Sequence, residues 1–407
     1  PVIAQLGTLM IRDYAYYSHL ALRNQTRSTS VTADRGVIYD RNMNILACSE
    51  SVENVYLDPH ELKQSKADIP ALSEELGRLL ELDPQWVQKQ AADTTKRYKQ
   101  VAAAVPLETA SAIREYINAN QISGIHLEPN SKRTYPMETL AAQVIGFTNS
   151  SNTGSEGIEA AYNSYLSGTA GKVITTKGNN EMDMPFSYEA YQDSIPGCDV
   201  ILTLDATVQA CLENQMQKAI DRYAVRNGAF GMVMNAKTGE ILAMATSPGF
   251  DLNNAWELDE DSLKKLAESG LSEDSEEYSA LSRDLLLSMW ANKAITEIYI
   301  PGSTFKIVTG AVSLEEKISQ IHETFTCYGS LNVLGTKIRC HKTEGHGTLT
   351  FAGGIQQSCN PWLMKLGLRL GTDTFYNYLK AFGYLEKTGV DLPGEGGGVF
   401  ASQEAFT

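Results

Sequence analysis

A serine stands three positions before a lysine in Pro301-Gly302-Ser303-Thr304-Phe305-Lys306, at the head of the apolar run Ile307-Val308-Thr309-Gly310. That arrangement suits an activated serine nucleophile. Pro301 and Gly302 interrupt whatever precedes them, so the pattern predicts a helix starting near Ser303. Residues i and i+3 share a helix face, which puts the Lys306 amine within reach of the Ser303 hydroxyl. Free amide groups at a helix start favour developing negative charge. A lysine kept neutral by burial can take the serine proton. The same spacing recurs at Ser262 to Lys265, in an acidic polar stretch read as having no helix-start signal, and is taken there as coincidence. A second element, Ser358-Cys359-Asn360, follows Lys306. Its Ser-x-Asn pattern also occurs at Ser150 to Asn152, so neither element is specific alone. Their order and separation are far more specific than either part.

With those residues in place, the chain resembles the class B penicillin-binding proteins, the monofunctional D,D-transpeptidases of peptidoglycan synthesis. The resemblance extends well beyond two motifs. Arg35-Gly36-Val37-Ile38-Tyr39-Asp40-Arg41-Asn42, followed by Ile45-Leu46-Ala47, matches the family's RGxIxDRNGxxLA signature, with Met43 where glycine is usual. The turn is therefore expected to take its special backbone angles at Asn42 or Asn44. Arg133-Thr134-Tyr135-Pro136, Gly157-Ile158-Glu159 and Leu166-Ser167-Gly168 with Gly171 resemble further family segments. Gly197 to Asp205 resembles the opening of the transpeptidase domain, and Lys237-Thr238-Gly239-Glu240 its first hairpin.

The resemblance implies roles. Ser303 is the expected nucleophile toward the penultimate D-alanine carbonyl of a stem peptide, and Lys306 the base. Ser358 is expected to relay protons, and Asn360 to hold the substrate amide. Implied ligands are peptidoglycan stem peptides on a lipid-linked precursor, and β-lactams as covalent inhibitors. A membrane-embedded glycosyltransferase is the implied partner, and no cofactor is implied. A third family motif, K[ST]G, lines the cleft on a strand. Lys387-Thr388-Gly389 is read as a decoy, because it runs into Val390-Asp391-Leu392-Pro393-Gly394-Glu395, a loop that precedes the true motif in the family. The chain is thus expected to stop before that motif and to begin after a membrane anchor, with the protein on the extracytoplasmic face. Two other readings remain: a silent scaffold or β-lactam sensor, and a D,D-carboxypeptidase or β-lactamase using water as acceptor.

The elements that must position these residues follow from breaks in pattern. The expected fold is α+β and multidomain. An elongated non-catalytic pedestal or dimerisation domain spans 1–196. An incomplete transpeptidase domain, an antiparallel sheet flanked by helices, spans 197–407. Apolar residues at helical spacing predict a helix over 1–30. Residues 35–57 read as strands around the Asn42–Asn44 turn. Helices are predicted over 59–80, 84–90 and 107–118, around 158–166, and after Asp205 as N-cap. Residues 257–284 hold ten acidic against three basic side chains and read as a surface insertion.

A formal charge of −15 argues against nucleic acid as a partner. No run of about 18 apolar residues exists to span a bilayer. Six cysteines, Cys48, Cys198, Cys211, Cys327, Cys340 and Cys359, leave several readings open. All are free, or Cys340 pairs with Cys359, or Cys327 pairs with Cys340 across a hairpin. The Cys340–Cys359 bond would make a redox control, since Cys359 sits inside the Ser-x-Asn element. Cys327, Cys340, His341 and His346 fit no common zinc spacing, so no metal is expected.

Overall fold

The computed structural model describes residues 26–96, 98–176, 190–226 and 228–405. They divide into two compact units between Ala291 and Asn292.

The first unit is organised by one long strand, Ile45–Leu57. Lys99–Pro106 and Ile125–Thr134 pair with it antiparallel, on either side, and Ile38–Tyr39 folds back on its start. Val200–Ile201 extends the sheet in parallel beside Ile38–Tyr39. Helices Pro59–Gln64, Ile69–Leu80, Pro84–Ala92 and Leu107–Asn120 bury Leu62, Leu72, Leu76, Val87, Ala110 and Ile113 against Val55, Leu57, Val101 and Ile125. Three of these helices begin with the same local chemistry. Asp58, Asp68 and Asp83 cap them, and each is followed within two residues by a proline whose missing N–H costs the first turn nothing.

Two buried hubs account for the signature near Arg35. Glu159 accepts from Arg35 Nε at 2.5 Å and from Arg133 Nε at 2.6 Å, with all three side chains closed to solvent. Gly36 is required beside them, because a Cβ there would stand 2.0 Å from the Cys198 carbonyl oxygen. Asp40 Oδ1 accepts the amides of Asn42 and Asn44, both at 2.8 Å. The positive φ of this turn falls on Met43, at 67°, not on either asparagine. The carboxylate fixes both flanking residues, so the exposed tip residue takes the left-handed geometry.

The helix expected over 1–30 lies outside the described residues up to 25. Its final part is a strand, Thr26–Val31, paired with Gly171–Thr176, which in turn pairs with Ala190–Gln192. The β-branched and hydroxyl residues of this stretch suit an extended chain better than a helix. The helix expected around 158–166 is two short ones, Gly157–Ala161 and Asn163–Leu166. Asp205 does cap the helix Ala206–Tyr223, accepting from Thr207 and Val208. That helix lies on the hairpin Ala229–Met234 with Ile241–Ser247, where buried Gln209 exchanges two hydrogen bonds with the Met244 backbone. The acidic stretch forms two helices, Glu260–Glu268 and Glu276–Trp290, with most of its charges exposed.

In the second unit a 3₁₀ turn, Gly302–Phe305, runs directly into the helix Lys306–Glu315. Two antiparallel ladders follow, Thr324–Cys327 with Gly347–Thr350, and Ser330–Val333 with Thr336–Arg339. Helices Phe351–Gln356, Asn360–Leu370 and Thr372–Ala381 complete it. Trp362 is fully buried among Cys327, Cys340, Phe351, Cys359, Leu363 and Leu366. This core holds the start of the Asn360–Leu370 helix in place. Among the described residues no helix is long and apolar enough to cross a membrane.

Candidate active site

Lys306 is the centre of the site. Its Nζ donates to the Ser358 carbonyl oxygen at 2.8 Å, to Ser358 Oγ at 3.0 Å and to Asn360 Oδ1 at 2.5 Å. Asn360 Nδ2 donates to the Arg339 carbonyl oxygen at 3.2 Å, which fixes the amide's orientation. Burial withdraws the Lys306 amine from water and lowers its pKa, against an opposing pull from the Cys340 and Cys359 thiols.

Ser303 is exposed on the 3₁₀ turn. The expected α-helix begins three residues later, at Lys306. The tighter winding still serves the spacing, because i and i+3 eclipse in a 3₁₀ turn and Ser303 stands directly over Lys306 in sequence register. Among the described residues no side-chain hydrogen bond joins the two. The structure therefore brings Lys306, Ser358 and Asn360 into contact and leaves the Ser303 hydroxyl one turn ahead, open to solvent.

The Ser-x-Asn element is a strained corner. Ser358 has φ 47°, a left-handed conformation that costs a non-glycine residue about 1 kcal/mol or more. The corner closes the Phe351–Gln356 helix, with the Cys359 amide bonded to the Gly354 carbonyl, and opens the next helix with Cys359 as its N-cap residue.

The other sequence candidates separate cleanly. Ser262 and Lys265 sit in the helix Glu260–Glu268, whose first turn Asp259 caps. A helix-start signal thus exists there, contrary to expectation, because Asp259 supplies it. Lys265 is solvated and reaches no partner motif among the described residues. Lys387-Thr388-Gly389 lies on no strand. Thr388 and Gly389 donate to the Glu395 carboxylate, closing an exposed loop.

All six cysteines are free thiols. Cys327, Cys340 and Cys359 are nevertheless brought together with His346, their ligand atoms all within 4.8 Å of one another. His341, weighed beside them from the sequence, is exposed, its ring 5.0 Å from that of His346. Spacing in the chain gave no warning of this cluster, because three strand ends and a helix cap supply it.

Comparison with known proteins agrees with this architecture. Residues 30–202 match the penicillin-binding protein dimerisation domain, and residues 229–406 match the penicillin binding protein transpeptidase domain. The chain belongs to the penicillin-binding proteins, in the class that joins these two domains. It is 31% identical over 381 residues to stage V sporulation protein D of Bacillus subtilis, covering 93% of this chain and 54% of that protein. It is 25% identical over 393 residues to the peptidoglycan D,D-transpeptidase FtsI of Escherichia coli, covering 94% of this chain and 59% of that one. Penicillin-binding protein 2X of Streptococcus thermophilus shares the fold, with a TM-score of 0.70, 22% identity, and coverage of 93% of this chain and 56% of that one. The chain spans little more than half the length of the curated relatives it matches.

Proposed function

We propose that the protein is a serine D,D-transpeptidase that cross-links peptidoglycan stem peptides. The observation that carries this reading is the convergence of Lys306 with Ser358 and Asn360 one turn after Ser303. In the first half-reaction Ser303 Oγ attacks the penultimate D-alanine carbonyl as its proton passes to neutral Lys306. The peptide C–N bond breaks, and the Ser358 hydroxyl hands a proton to the departing D-alanine amine while taking one from the Lys306 ammonium across their 3.0 Å contact, which leaves the lysine neutral again. The Ser303 amide is one donor to the oxyanion. In the second half-reaction an amine of a neighbouring stem peptide attacks the ester, the new amide forms, and the proton returns to Ser303. Asn360 holds the donor peptide's amide. β-Lactams acylate the same serine.

In this reading residues 1–196 are the pedestal and residues 197–407 carry the chemistry. The protein works at the outer face of the cell membrane beside a glycosyltransferase that polymerises the glycan. The test is labelling of the native full-length protein by a fluorescent penicillin. Ser303→Ala abolishes the label and Ser262→Ala leaves it intact. Label retained in Ser303→Ala removes that serine from the reaction.

A further inference from the structure

We propose that Cys327, Cys340, His346 and Cys359 bind one structural zinc ion directly behind the Ser-x-Asn corner. The four ligand atoms already lie within 4.8 Å of one another. Tetrahedral zinc, with Zn–S about 2.3 Å and Zn–N about 2.0–2.1 Å, sets its donors roughly 3.5–3.8 Å apart. Cys340 Sγ and His346 Nδ1 meet that requirement at 3.7 Å. The remaining separations close by side-chain rotations of the order of an ångström.

The donor set selects the metal. Three soft thiolates and one imidazole suit zinc far better than calcium or magnesium, which need oxygen ligands. All three cysteines are buried, none more than 3% exposed. The imidazole of His346 turns its Nδ1 toward Cys340 Sγ, so that nitrogen is the atom it offers to the ion. A disulfide accounts for two of these four groups and leaves a third thiol and an imidazole beside it without a role. A metal accounts for all four.

The fold supplies the ligands from four separate segments. Cys327 ends the strand Thr324–Cys327, and Cys340 follows the strand Thr336–Arg339. His346 precedes the strand Gly347–Thr350, and Cys359 caps the helix Asn360–Leu370. Gly345 lets the histidine segment lie on the cysteine strand, because a Cβ there would stand 2.2 Å from the Cys327 carbonyl oxygen. Four protein ligands leave no open position, so the ion cross-links the chain and does not touch substrate.

What it cross-links is the acceptor set of Lys306. Cys359 lies between Ser358, held at φ 47°, and Asn360. Cys340 follows Arg339, whose carbonyl oxygen orients the Asn360 amide. One ion thus pins both sides of the corner that receives the lysine.

The experiment measures metal, so its outcome is independent of any role for Ser303. The chain is purified under reducing conditions, desalted and analysed for metal by mass spectrometry. One zinc per chain is expected, lost in Cys327→Ser and in His346→Ala but retained in Cys211→Ser, whose residue is exposed. Because the variants can misfold, wild-type protein is also stripped and titrated with cobalt(II) alone. Intense visible d–d bands and thiolate charge transfer at one equivalent are expected of a tetrahedral site. Wild-type chain that holds no zinc and gives no such cobalt spectrum overturns the proposal. So does protein isolated without added oxidant that is metal-free and shows two of its six thiols consumed in a disulfide.

Discussion

Glu159 offers the sharpest test of how the first unit is held together. Its side chain is fully buried between the guanidinium groups of Arg35 and Arg133, themselves 0% and 2% exposed. Glu159→Ala removes the only carboxylate that the two cations share among the described residues. Arg35 keeps neutral acceptors, the carbonyls of Glu159 and Asn152 with Asn163 Oδ1 and Ser167 Oγ. Arg133 keeps the Gly36 carbonyl at 2.8 Å, but its Nη2 already lacks a partner among the described residues. Stripping one partner from a buried ion pair costs about 3–5 kcal/mol, and with two cations stranded the upper part of that range applies. For a unit of this size that is a fall in Tm of roughly 10 °C or more. Glu159→Gln keeps the shape and one acceptor oxygen, and is expected to cost about half as much, near the worth of one or two charged hydrogen bonds. The assay is urea and thermal denaturation followed by circular dichroism. A loss under about 1 kcal/mol for the alanine variant would refute the reasoning, as would equal losses for both variants.

Four further outcomes are expected. Lys306→Arg lowers penicillin acylation by roughly 10²-fold, because a guanidinium cannot take a proton at neutral pH, and a change of a few-fold would make the lysine a binding group only. Since only neutral Lys306 is a base and burial depresses its pKa, acylation rises with pH through a limb below that of a free lysine; a limb at the ordinary lysine value contradicts this. Met43→Gly relieves a left-handed side-chain residue at φ 67° and raises stability by roughly 0.5–1 kcal/mol in urea titrations, whereas an unchanged or lower midpoint shows the turn is not strained. Gly354→Ala places a methyl 1.9 Å from Trp362 Cδ1 and destabilises by about 1–3 kcal/mol or more; a neutral result would mean that the Phe351–Gln356 helix shifts freely.

The sequence was most legible where local chemistry decides the structure. Asp205 accepts from the Thr207 and Val208 amides, the local capping chemistry that made the helix start after it readable. The strands Lys99–Pro106 and Ile125–Thr134 were not. One is alanine-rich and lacks alternation, and the other contains Pro129, which reads as a break. Both are strands because Ile45–Leu57 offers each a ladder, continuous for Ile125–Thr134 and interrupted by register shifts for Lys99–Pro106, and Ile125–Thr134, with no other strand partner among the described residues, tolerates its proline as an edge strand does. In the candidate site, the contacts of Lys306 with Ser358 and Asn360 follow from motif residues visible in the chain. The gathering of Cys327, Cys340, His346 and Cys359 depends on how two short ladders cross the end of a helix, and no fixed spacing encodes that.

The geometry at Lys306 also constrains how the proposed mechanism can run. An ammonium has three protons, and here all three have acceptors: the Ser358 carbonyl, Ser358 Oγ and Asn360 Oδ1. A neutral amine has two protons and one lone pair, so becoming a base means giving up one of these bonds. The Ser358 carbonyl can only accept. Asn360 cannot reverse without losing its bond to the Arg339 carbonyl. Ser358 Oγ is the one partner that can turn from acceptor to donor by rotating its proton. Deprotonation of the lysine therefore falls on the Lys306–Ser358 hydroxyl contact, and the other two bonds keep Nζ in place while it changes charge. The same rotation leaves the Ser358 proton mobile, which is what a relay to the leaving amine requires. A serine in this position thus does what an alanine or a carbonyl cannot, and its strained backbone is the cost of aiming carbonyl and hydroxyl at one nitrogen.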